Sequence, residues 1–417
     1  MKYVSIMPLI GGMTIAAENI FNKKPEFLLS YEVAKHNDYQ YLFNNSELND
    51  KYFLLNEDNK FIKKDDEEKF IDLNNNIDIV TAVPFCSGLS MLNSSISNNQ
   101  VKNEEMSRGS EAIQNRFIYL TIEFALLHIK PKVFIFENAP TFFTELGKGV
   151  FDNVIKIVKK YGYSFTNIKT STLLHGLPQN RTRSFGIAWK SDKVPIINWY
   201  NKQFTPVNEL FKEIPKDATY NDYKIEEDRF NNDFIIKYMI NRNGKDFRKL
   251  FFKESSPILC SYIVPNNKLD DIINFAKENN EPSIEKKLRF IKSKIDNNKG
   301  FWDWSPVIIK EYTNAVISKN SFRTIHPVEN RFFTLRENMT LMGLPYNFQL
   351  SNVKFSNMIT QNVPVNTAQD MIKECVKFIN GELPLSNNKI IKQNNINQTI
   401  EYVDKQEKNS FKNLIGK

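Results

Sequence analysis

The chain has 417 residues, 41% of them hydrophobic, and a formal net charge of +8. This length is enough for two domains, and this apolar content is enough for a sizeable core. No apolar run is long enough to cross a bilayer, which excludes a membrane-spanning protein. The positive charge is compatible with a polyanionic partner. Lys, Asn and Ile are abundant throughout the chain, however, so the excess can equally reflect an AT-rich gene.

The three cysteines lie far apart in the sequence, at Cys86, Cys260 and Cys375. No Cys-x-x-Cys pair or His-rich spacing is present, so no metal site is expected, and an odd number does not make a disulfide framework. This usage favours a reducing, cytoplasmic location. Cys260 lies in an apolar run and Cys375 in a predicted helix, so both are interpreted as core residues.

Strand-like and helical patterns alternate from residue 1 to about residue 190. The predicted strands cover residues 2–7, 27–31, 77–83, 132–136 and 184–189, and the clearest predicted helices cover residues 14–21 and 117–129. The third of these strands is almost wholly apolar, as expected of a strand covered on both faces. The alternation predicts an α/β fold with a mostly parallel sheet, whose ligands bind beyond the carboxyl ends of the strands.

The pattern divides the chain into four parts. Residues 1–190 form the predicted first part of a catalytic and cofactor-binding domain. Residues 191–320 are less regular and carry scattered aromatic residues and a basic helical stretch at 286–294. Residues 321–381 end in a helix predicted to return to the first domain. Residues 382–417 are rich in Asn, Lys and Gln, which predicts a mobile polar tail.

A glycine-containing turn follows the first predicted strand and precedes the first helix. Glycine lets a backbone approach a ligand and aim helix N–H groups at it. Glu32 ends the next predicted strand, where a carboxylate can bond both ribose hydroxyls of a nucleoside. Together they indicate an adenosine-containing ligand. A third, acidic contact cannot be assigned, because Asp65, Asp66 and Asp72 compete for it. The candidate cofactor residues of the turn are Met7, Leu9, Ile10, Gly11 and Gly12.

Three short strings carry groups suited to covalent chemistry on a pyrimidine ring. Cys86 follows the apolar strand 77–83, Glu137 follows the strand 132–136, and Arg181 and Arg183 alternate along one segment, which would turn both to the same side. A thiol of lowered pKa in a polar setting is a nucleophile. Each residue also has a structural interpretation, respectively as a core cysteine, a surface or capping carboxylate, and a solvated pair.

These strings resemble the DNA (cytosine-5) methyltransferase family. The resemblance runs from residue 4 to about residue 380, with a gap in the middle. It rests on Pro84 to Ser90, Glu137-Asn138-Ala139 and Gln179 to Arg183, and later on residues 323–327, 334–345 and 361–365. The resemblance implies a Rossmann-like S-adenosylmethionine-dependent methyltransferase sheet with a smaller, irregular target-recognition domain at 191–320. It adds Asn362 to the cofactor residues and implies substrate contacts at Pro84, Ser87, Ser90, Asn138 and Gln179.

The resemblance also implies a role for each reacting group. Cys86 would add to C6 of a flipped cytosine, and Glu137 would bond N3 and the exocyclic amine. Arg183 would reach the ring, while Arg181 would order the cysteine loop and the backbone. The expected cofactor is S-adenosyl-L-methionine and the expected substrate is double-stranded DNA. The expected protein is a cytoplasmic monomer of bacterial or phage origin, serving restriction-modification, with a cognate endonuclease acting separately, or phage self-modification.

Three residues depart from the family's pattern. Phe85 stands where proline usually precedes the nucleophile, Met7 where an aromatic residue is usual, and Leu9 where glycine is usual. Two alternatives stay open, and these departures support only the second of them. One is a tRNA cytosine-5 methyltransferase, against which the long segment 191–320 argues, and the other is a catalytically weak DNA-binding relative.

Overall fold

The computed structural model describes residues 1–85, 87–89, 112–222, 227–244, 269–299, 309, 311–316 and 324–403. The strands in these ranges are β1 (Tyr3–Ile6), β2 (Leu28–Tyr31), β3 (Tyr52–Leu55), β4 (Ile79–Ala82), β5 (Val133–Asn138), β6 (Ser164–Ser171), β7 (Gln179–Asn180), β8 (Thr182–Trp189), β9 (Thr313–Asn314), β10 (Ile390–Asn394) and β11 (Thr399–Tyr402). All except β7 and β9 join one nine-stranded sheet.

The sheet has the order β3-β2-β1-β4-β5-β8-β6-β10-β11. Strands β8 and β11 run antiparallel to their neighbours, and the other pairings are parallel. The order reverses between β1 and β4, which in open α/β sheets is where ligands bind. Every residue of β1 and β4 is buried. The predicted α/β class with a mostly parallel sheet is confirmed.

Helices cover both faces of this sheet. The described α-helices are α1 (Gly12–Phe21), α2 (Lys35–Phe43), α3 (Lys64–Leu73), α4 (Arg116–Phe124), α5 (Lys148–Lys160), α6 (Val207–Lys212), α7 (Glu227–Asn232), α8 (Phe234–Asn243), α9 (Leu269–Glu278), α10 (Pro282–Asp296), α11 (Leu335–Thr340) and α12 (Val365–Ile379). Helix α4 continues as a π-helical turn, Ala125–Ile129. Within these ranges, no helix combines the length and the apolar character needed to cross a membrane.

The core has one layer on each side of the sheet. On one side α12 packs against α1, with Met13 and Ala16 beside Ala368 and Met371. The last helix of the predicted segment 321–381 thus packs against the first helix of the chain. On the other side α3, α4 and α5 bury a cluster rich in phenylalanine. Cys375 is fully buried in α12, as expected of a core residue.

Helices α7 to α10 bury an apolar cluster of their own. Helix α10 begins with Pro282, whose fixed φ suits the first helical turn. Its Leu288 and Ile291 face this cluster, while Phe290 is 57% exposed. The basic stretch at 286–294 is thus helical, as predicted. Trp302, Trp304 and Cys260 lie outside the described residues.

The C-terminal part of the chain departs from the expected mobile tail. Strand β10 pairs in parallel with β6, with Ile390 opposite Phe165, and β11 pairs antiparallel with β10. Ile390 and Ile391 are buried. The expectation that a mobile tail begins at residue 382 is therefore wrong, because β10 and β11 are held by backbone hydrogen bonds that a polar composition does not reveal. Residues 404–417 lie outside the described part.

Candidate active site

Four strand ends meet at one edge of the sheet. Ile6 ends β1 opposite Ala82 of β4, and Ala82 lies opposite Phe136 of β5. Three features therefore lie side by side at this edge: the turn after β1, the segment leading to position 86, and Glu137 in the last part of β5. Strand β2 ends beside β1, directly before Glu32. The sheet brings together the two regions that the sequence predicts to bind cofactor and substrate.

The turn after β1 has an unusual backbone. Met7, Leu9 and Gly11 have φ values of 53°, 55° and 106°. Glycine adopts this left-handed region freely, whereas a residue with a side chain pays roughly 1–2 kcal/mol. Leu9 is held there by a hydrogen bond from its N–H to Asp38 Oδ1, at 2.8 Å. Sequence reasoning missed Asp38, because its contact with the turn arises only from the packing of α2.

Gly12 and Asn362, both predicted cofactor residues, are in contact. The N–H of Gly12 donates to Asn362 Oδ1 at 2.8 Å. A Cβ atom at Gly12 would lie 2.0 Å from the carbonyl oxygen of Val363, so no larger residue fits. Asn362 is buried, and its Nδ2 has no hydrogen-bond partner among the described residues. Gly12 is therefore required by close approach of another segment.

The residues around this turn suit an adenosine ligand with an amino-acid tail. Gly11, the N-cap of α1, has no side chain to cap the helix, and Asn362 accepts only the N–H of Gly12, so the following N–H groups of the first turn can meet a carboxylate there. The Glu32 side chain is 60% exposed and has a distant ion pair with Lys35, at 3.7 Å, which leaves it accessible to ribose hydroxyls. The orphaned amide of Asn362 adds a buried donor at the same turn.

The three candidates for a third, acidic cofactor contact lie on one helix. Asp65, Asp66 and Asp72 all lie on α3. The residues that directly follow β3 are 56–59, and Asn59 Oδ1 accepts a hydrogen bond from Tyr31 at 2.7 Å. Tyr31 immediately precedes Glu32. The four residues at this strand end are two amides, Asn56 and Asn59, and two carboxylates, Glu57 and Asp58.

The flanks of the predicted nucleophile are described, but Cys86 and Ser90 lie outside the described residues. Pro84 is buried. The ring of Phe85 meets Phe117 edge to face, with centroids 5.3 Å apart and planes at 90°. After position 86 the backbone of Ser87–Leu89 forms a 3-10 turn, and the side chain of Ser87 is outside the description. The residue directly before the predicted nucleophile is thus held by an aromatic contact.

The segment after position 86 is tied to the segment after Glu137. Thr141 Oγ1 donates a hydrogen bond to the carbonyl oxygen of Leu89, and Leu89 is buried. A Cβ atom at Gly88 would lie 2.4 Å from that of Ala112, so the chain also passes close to the start of α4. These contacts hold residues 88 and 89 beside the end of β5. Sequence reasoning did not identify Thr141.

Glu137 and Arg183 form an ion pair between the ends of β5 and β8. Arg183 Nε lies 2.8 Å from Glu137 Oε1. The side chain of Glu137 is 6% exposed and that of Arg183 is 20% exposed. Burial raises the pKa of Glu137, while the positive charges of Arg183 and Arg181 oppose that shift. A buried carboxyl of raised pKa can carry a proton to a base.

Asn138, which follows Glu137, is also buried. Its Oδ1 accepts the N–H of Ala139 at 2.9 Å, and its Nδ2 has no partner among the described residues. A buried donor of this kind is expensive to leave unpaired. It therefore suits a hydrogen-bonding ligand beside Glu137.

Arg181 does not continue the strand that carries Arg183. Strand β7 ends at Asn180 and pairs with β9, whereas β8 begins at Thr182 and joins the main sheet. The expected single extended segment is interrupted at Arg181. Its guanidinium is buried and donates to three backbone carbonyls, those of Val316, Thr360 and Asn362, at 2.9, 2.7 and 3.2 Å.

Gln179 is likewise engaged by backbone groups. Its Nε2 donates to the carbonyl of Leu341 at 2.8 Å, and its Oε1 accepts the N–H of Val316 at 2.9 Å. Among the described residues, both polar atoms of this predicted substrate contact are thus used to fix the later part of the chain. Gln179 and Arg181 together hold the segment after residue 311 against this end of the sheet.

Solved structures of methyltransferases share this overall fold. Entamoeba histolytica methyltransferase EhMeth superposes with a TM-score of 0.53 at 14% sequence identity, covering 91% of this chain and 98% of that chain. A protein described as a DNA modification methyltransferase encoded within a prophage of E. coli has a TM-score of 0.52 at 16% identity, covering 91% of this chain and 99% of that chain, and S. pombe Dnmt2 methyltransferase has a TM-score of 0.50 at 13% identity, with the same coverages of 91% and 99%. At these identities the likeness establishes the fold alone. No curated protein sequence matches the chain. A family model described as C-5 cytosine-specific DNA methylase matches residues 1–377, and the chain belongs to this family of methyltransferases.

Proposed function

We propose that this protein methylates C5 of a flipped cytosine in duplex DNA, with S-adenosylmethionine as methyl donor and Cys86 as nucleophile. The observation that carries the proposal is the buried pair of Glu137 and Arg183. It lies at the sheet edge where the segment leading to Cys86 ends, and Leu89 on the far side of Cys86 is tied to Thr141.

Cytosine C5 is a poor nucleophile, so the ring must first be activated. The Cys86 thiolate forms a bond to C6, which breaks the aromatic system and moves an electron pair toward C5. Glu137 holds a proton at N3 and accepts from the exocyclic amine, which makes C6 more electrophilic. Burial of the Glu137 carboxyl favours this protonated form.

The second half of the reaction restores the ring. The donor, when bound, supplies a methyl group on a positively charged sulfur. At C5 the new carbon–carbon bond would form as the methyl–sulfur bond of the donor breaks and leaves a neutral thioether. A base would then take the C5 proton, and the electron pair of that C–H bond would restore the C5–C6 double bond and expel the Cys86 thiolate from C6. Arg183, 2.8 Å from Glu137, holds that carboxyl in place and can bond the carbonyl O2 of the base.

A base inside a duplex cannot reach this edge, so the target must be flipped out, at a cost of a few kcal/mol.

Helices α7 to α10, within the segment 191–320, are the proposed reader of DNA. On α10, Arg289 and Lys292 are paired with Glu285 and Asp270. Lys294 lies over the exposed ring of Phe290, 5.0 Å from its centroid, which is a combination suited to a nucleic-acid backbone and base.

The first experiment identifies the target. Genomic DNA from cells that lack other cytosine methylation, expressing the full chain, is sequenced after bisulfite treatment. We expect one short sequence context to be methylated. Methylation of tRNA without methylation of DNA would instead support the tRNA cytosine alternative.

The second experiment tests the mechanism on a duplex with 5-fluorocytosine at the identified position. With the donor present, the wild-type chain should form an adduct that survives denaturation, because the fluorine cannot leave as a proton does. Cys86→Ser should bind the duplex without forming the adduct, and Cys375→Ser, which alters a buried core thiol, should still form it. An adduct retained by Cys86→Ser would contradict the assignment. Binding without an adduct in wild type would support the DNA-binding alternative.

A further inference from the structure

The turn that follows β1 keeps two side-chain-bearing residues in the left-handed backbone region, Met7 and Leu9. In the family that the chain belongs to, the position of Leu9 is usually glycine. A glycine adopts this conformation without strain, whereas leucine requires support from its surroundings.

The support comes from Asp38 on α2, a carboxylate with no exposed surface. Its Oδ1 accepts the N–H of Leu9 at 2.8 Å, and its Oδ2 accepts the hydroxyl of Tyr52 at 2.9 Å. One buried side chain thus joins the turn, α2 and the first residue of β3. A charge is buried at such a place only when it is well bonded.

The bond acts on the part of the turn that leads into α1. Leu9 is followed by Ile10 and by Gly11, whose own φ is 106°. The N–H of Gly11 donates back to the carbonyl of Pro8 at 2.8 Å, so a change at Leu9 is transmitted to the N-terminus of α1. Without an acceptor, the N–H of Leu9 would be left unpaired, and rotation of Leu9 to negative φ would relieve its strain.

We propose that Asp38 is a positioning residue for the cofactor: it fixes Leu9 in the left-handed conformation and so replaces the freedom that glycine gives the turn in relatives. This inference rests on the proposed function, since it takes the turn to bind S-adenosylmethionine. Asp38 acts through the backbone of Leu9.

The test measures binding of S-adenosylhomocysteine by titration calorimetry, together with thermal unfolding. Asp38→Ala should weaken binding by about tenfold to a hundredfold, as expected for loss of a hydrogen bond to a charged acceptor. Leu9→Gly alone is measured as the reference for the double variant. In the double variant, Leu9→Gly should restore most of the affinity lost by Asp38→Ala, because glycine keeps positive φ without help.

Two conservative variants separate this role from general packing. Asp38→Asn keeps an acceptor for Leu9 and can donate to Tyr52, so it should bind within about threefold of wild type. Tyr52→Phe removes the bond to the other carboxylate oxygen and leaves the bond to Leu9, so it should also retain affinity.

Wild-type affinity in a folded Asp38→Ala protein would overturn the inference, as would a double variant as weak as Asp38→Ala. Should Asp38→Ala not fold, restoration of folding by Leu9→Gly would support the inference and its failure to do so would overturn it. A wild-type chain that does not bind S-adenosylhomocysteine would overturn the cofactor assignment itself, and the inference with it.

Discussion

The N–H of Gly12 donates to the side-chain oxygen of Asn362 at 2.8 Å, across 350 positions of the chain. The carbonyl of the same asparagine accepts from Arg181 at 3.2 Å. Asn362 therefore joins the proposed cofactor turn to Arg181, whose positive charge acts to lower the pKa of Glu137. The two ends of the proposed reaction, methyl donor and base, are linked through one residue of a late segment.

Gly12→Ala should destabilise the protein by roughly 1–3 kcal/mol, the range typical of overpacking. Its Cβ would lie 2.0 Å from the backbone carbonyl oxygen of Val363 and 2.4 Å from Asn362 Oδ1, so the segment just before α12 would have to shift. Urea unfolding measures the change. Gly162→Ala is the control, because nothing lies within 4 Å of its Cβ position and only its φ of 77° is unfavourable. A Gly12→Ala loss no larger than the Gly162→Ala loss would contradict this close contact.

We expect Arg181→Met mainly to lower the stability of the fold and Arg183→Met mainly to lower the activity. Loss of Arg181 leaves three buried carbonyls without their donor, which should cost roughly 2–4 kcal/mol. Arg183→Met should cost less, because its side chain is partly exposed and Glu137 can take up a proton when the positive charge is lost.

The measurements are thermal unfolding and adduct formation with 5-fluorocytosine duplex. Arg183→Met should lose adduct formation while it stays folded, and Arg183→Lys, which keeps the charge, should retain part of it. Equal stability losses in the two methionine variants would show that Arg181 is not the structural arginine of the pair.

Glu137→Gln should slow methyl transfer by about a hundredfold or more, the usual contribution of a positioned acid. Glutamine has nearly the same shape but has no carboxyl proton to place on N3 of the base. Single-turnover methyl transfer at saturating DNA measures the effect. Glu145→Gln, an exposed glutamate after the same strand, is the control. A Glu137→Gln rate within a factor of a few of wild type would rule out its proposed role.

Phe85→Leu should slow adduct formation by roughly three- to tenfold, the value of one aromatic pair, and leave cofactor affinity unchanged. Phe85 precedes Cys86, and its ring is anchored on Phe117, which in turn meets Tyr31 at 5.2 Å and 69°. The anchor limits the positions that the thiol can take.

The control for this prediction is Phe61→Leu. Phe61 is also partly buried against the phenylalanine-rich cluster, where it contacts Phe53, Phe70 and Phe124. Its loss should lower stability without changing the rate of adduct formation. The same slowing in both variants would assign the effect to general packing.

Asp38 should make the fold more stable at mildly acidic pH than at neutral pH. Burial raises its pKa to about 6, against the hydrogen bonds it accepts, whereas an aspartate in the unfolded chain titrates at roughly 3.9. A raised folded-state pKa means that the stabilisation is complete below about 4 and is lost as the pH rises through about 6. Asp38→Asn removes this dependence.

Urea unfolding of wild type and Asp38→Asn at several pH values between about 4.5 and 8 measures the difference. We expect the stability of wild type, relative to Asp38→Asn, to rise as the pH falls through about 6. A constant difference across this range would show that Asp38 does not titrate there.

The sequence allowed the fold class and several strands to be predicted because their signals are local. The apolar run 77–83 is long enough to recognise as a strand buried on both faces, and it became β4. Glu137 was expected directly after a strand ending at residue 136, and it lies within the last part of that strand, β5. The chemistry predicted for Cys86 came from such a position together with the family resemblance, and remains a prediction.

Other features could not be read from local patterns. Strands β10 and β11 lie in a polar segment, since pairing along a sheet edge uses backbone groups that every residue carries. Arg181 was expected to share a face with Arg183, but the backbone changes partner between them. Alternation of side chains holds only while a strand stays in one sheet.

By itself, then, the sequence determined the α/β alternation and the placement of functional residue types directly after strands, because periodicity and glycine turns act over a few residues. The tertiary structure alone decided which distant groups complete the site. Asp38 supports Leu9, and Asn362 meets Gly12, only because α2 and the segment before α12 pack against the same turn. Such contacts depend on how whole elements dock in three dimensions, which short-range patterns do not record.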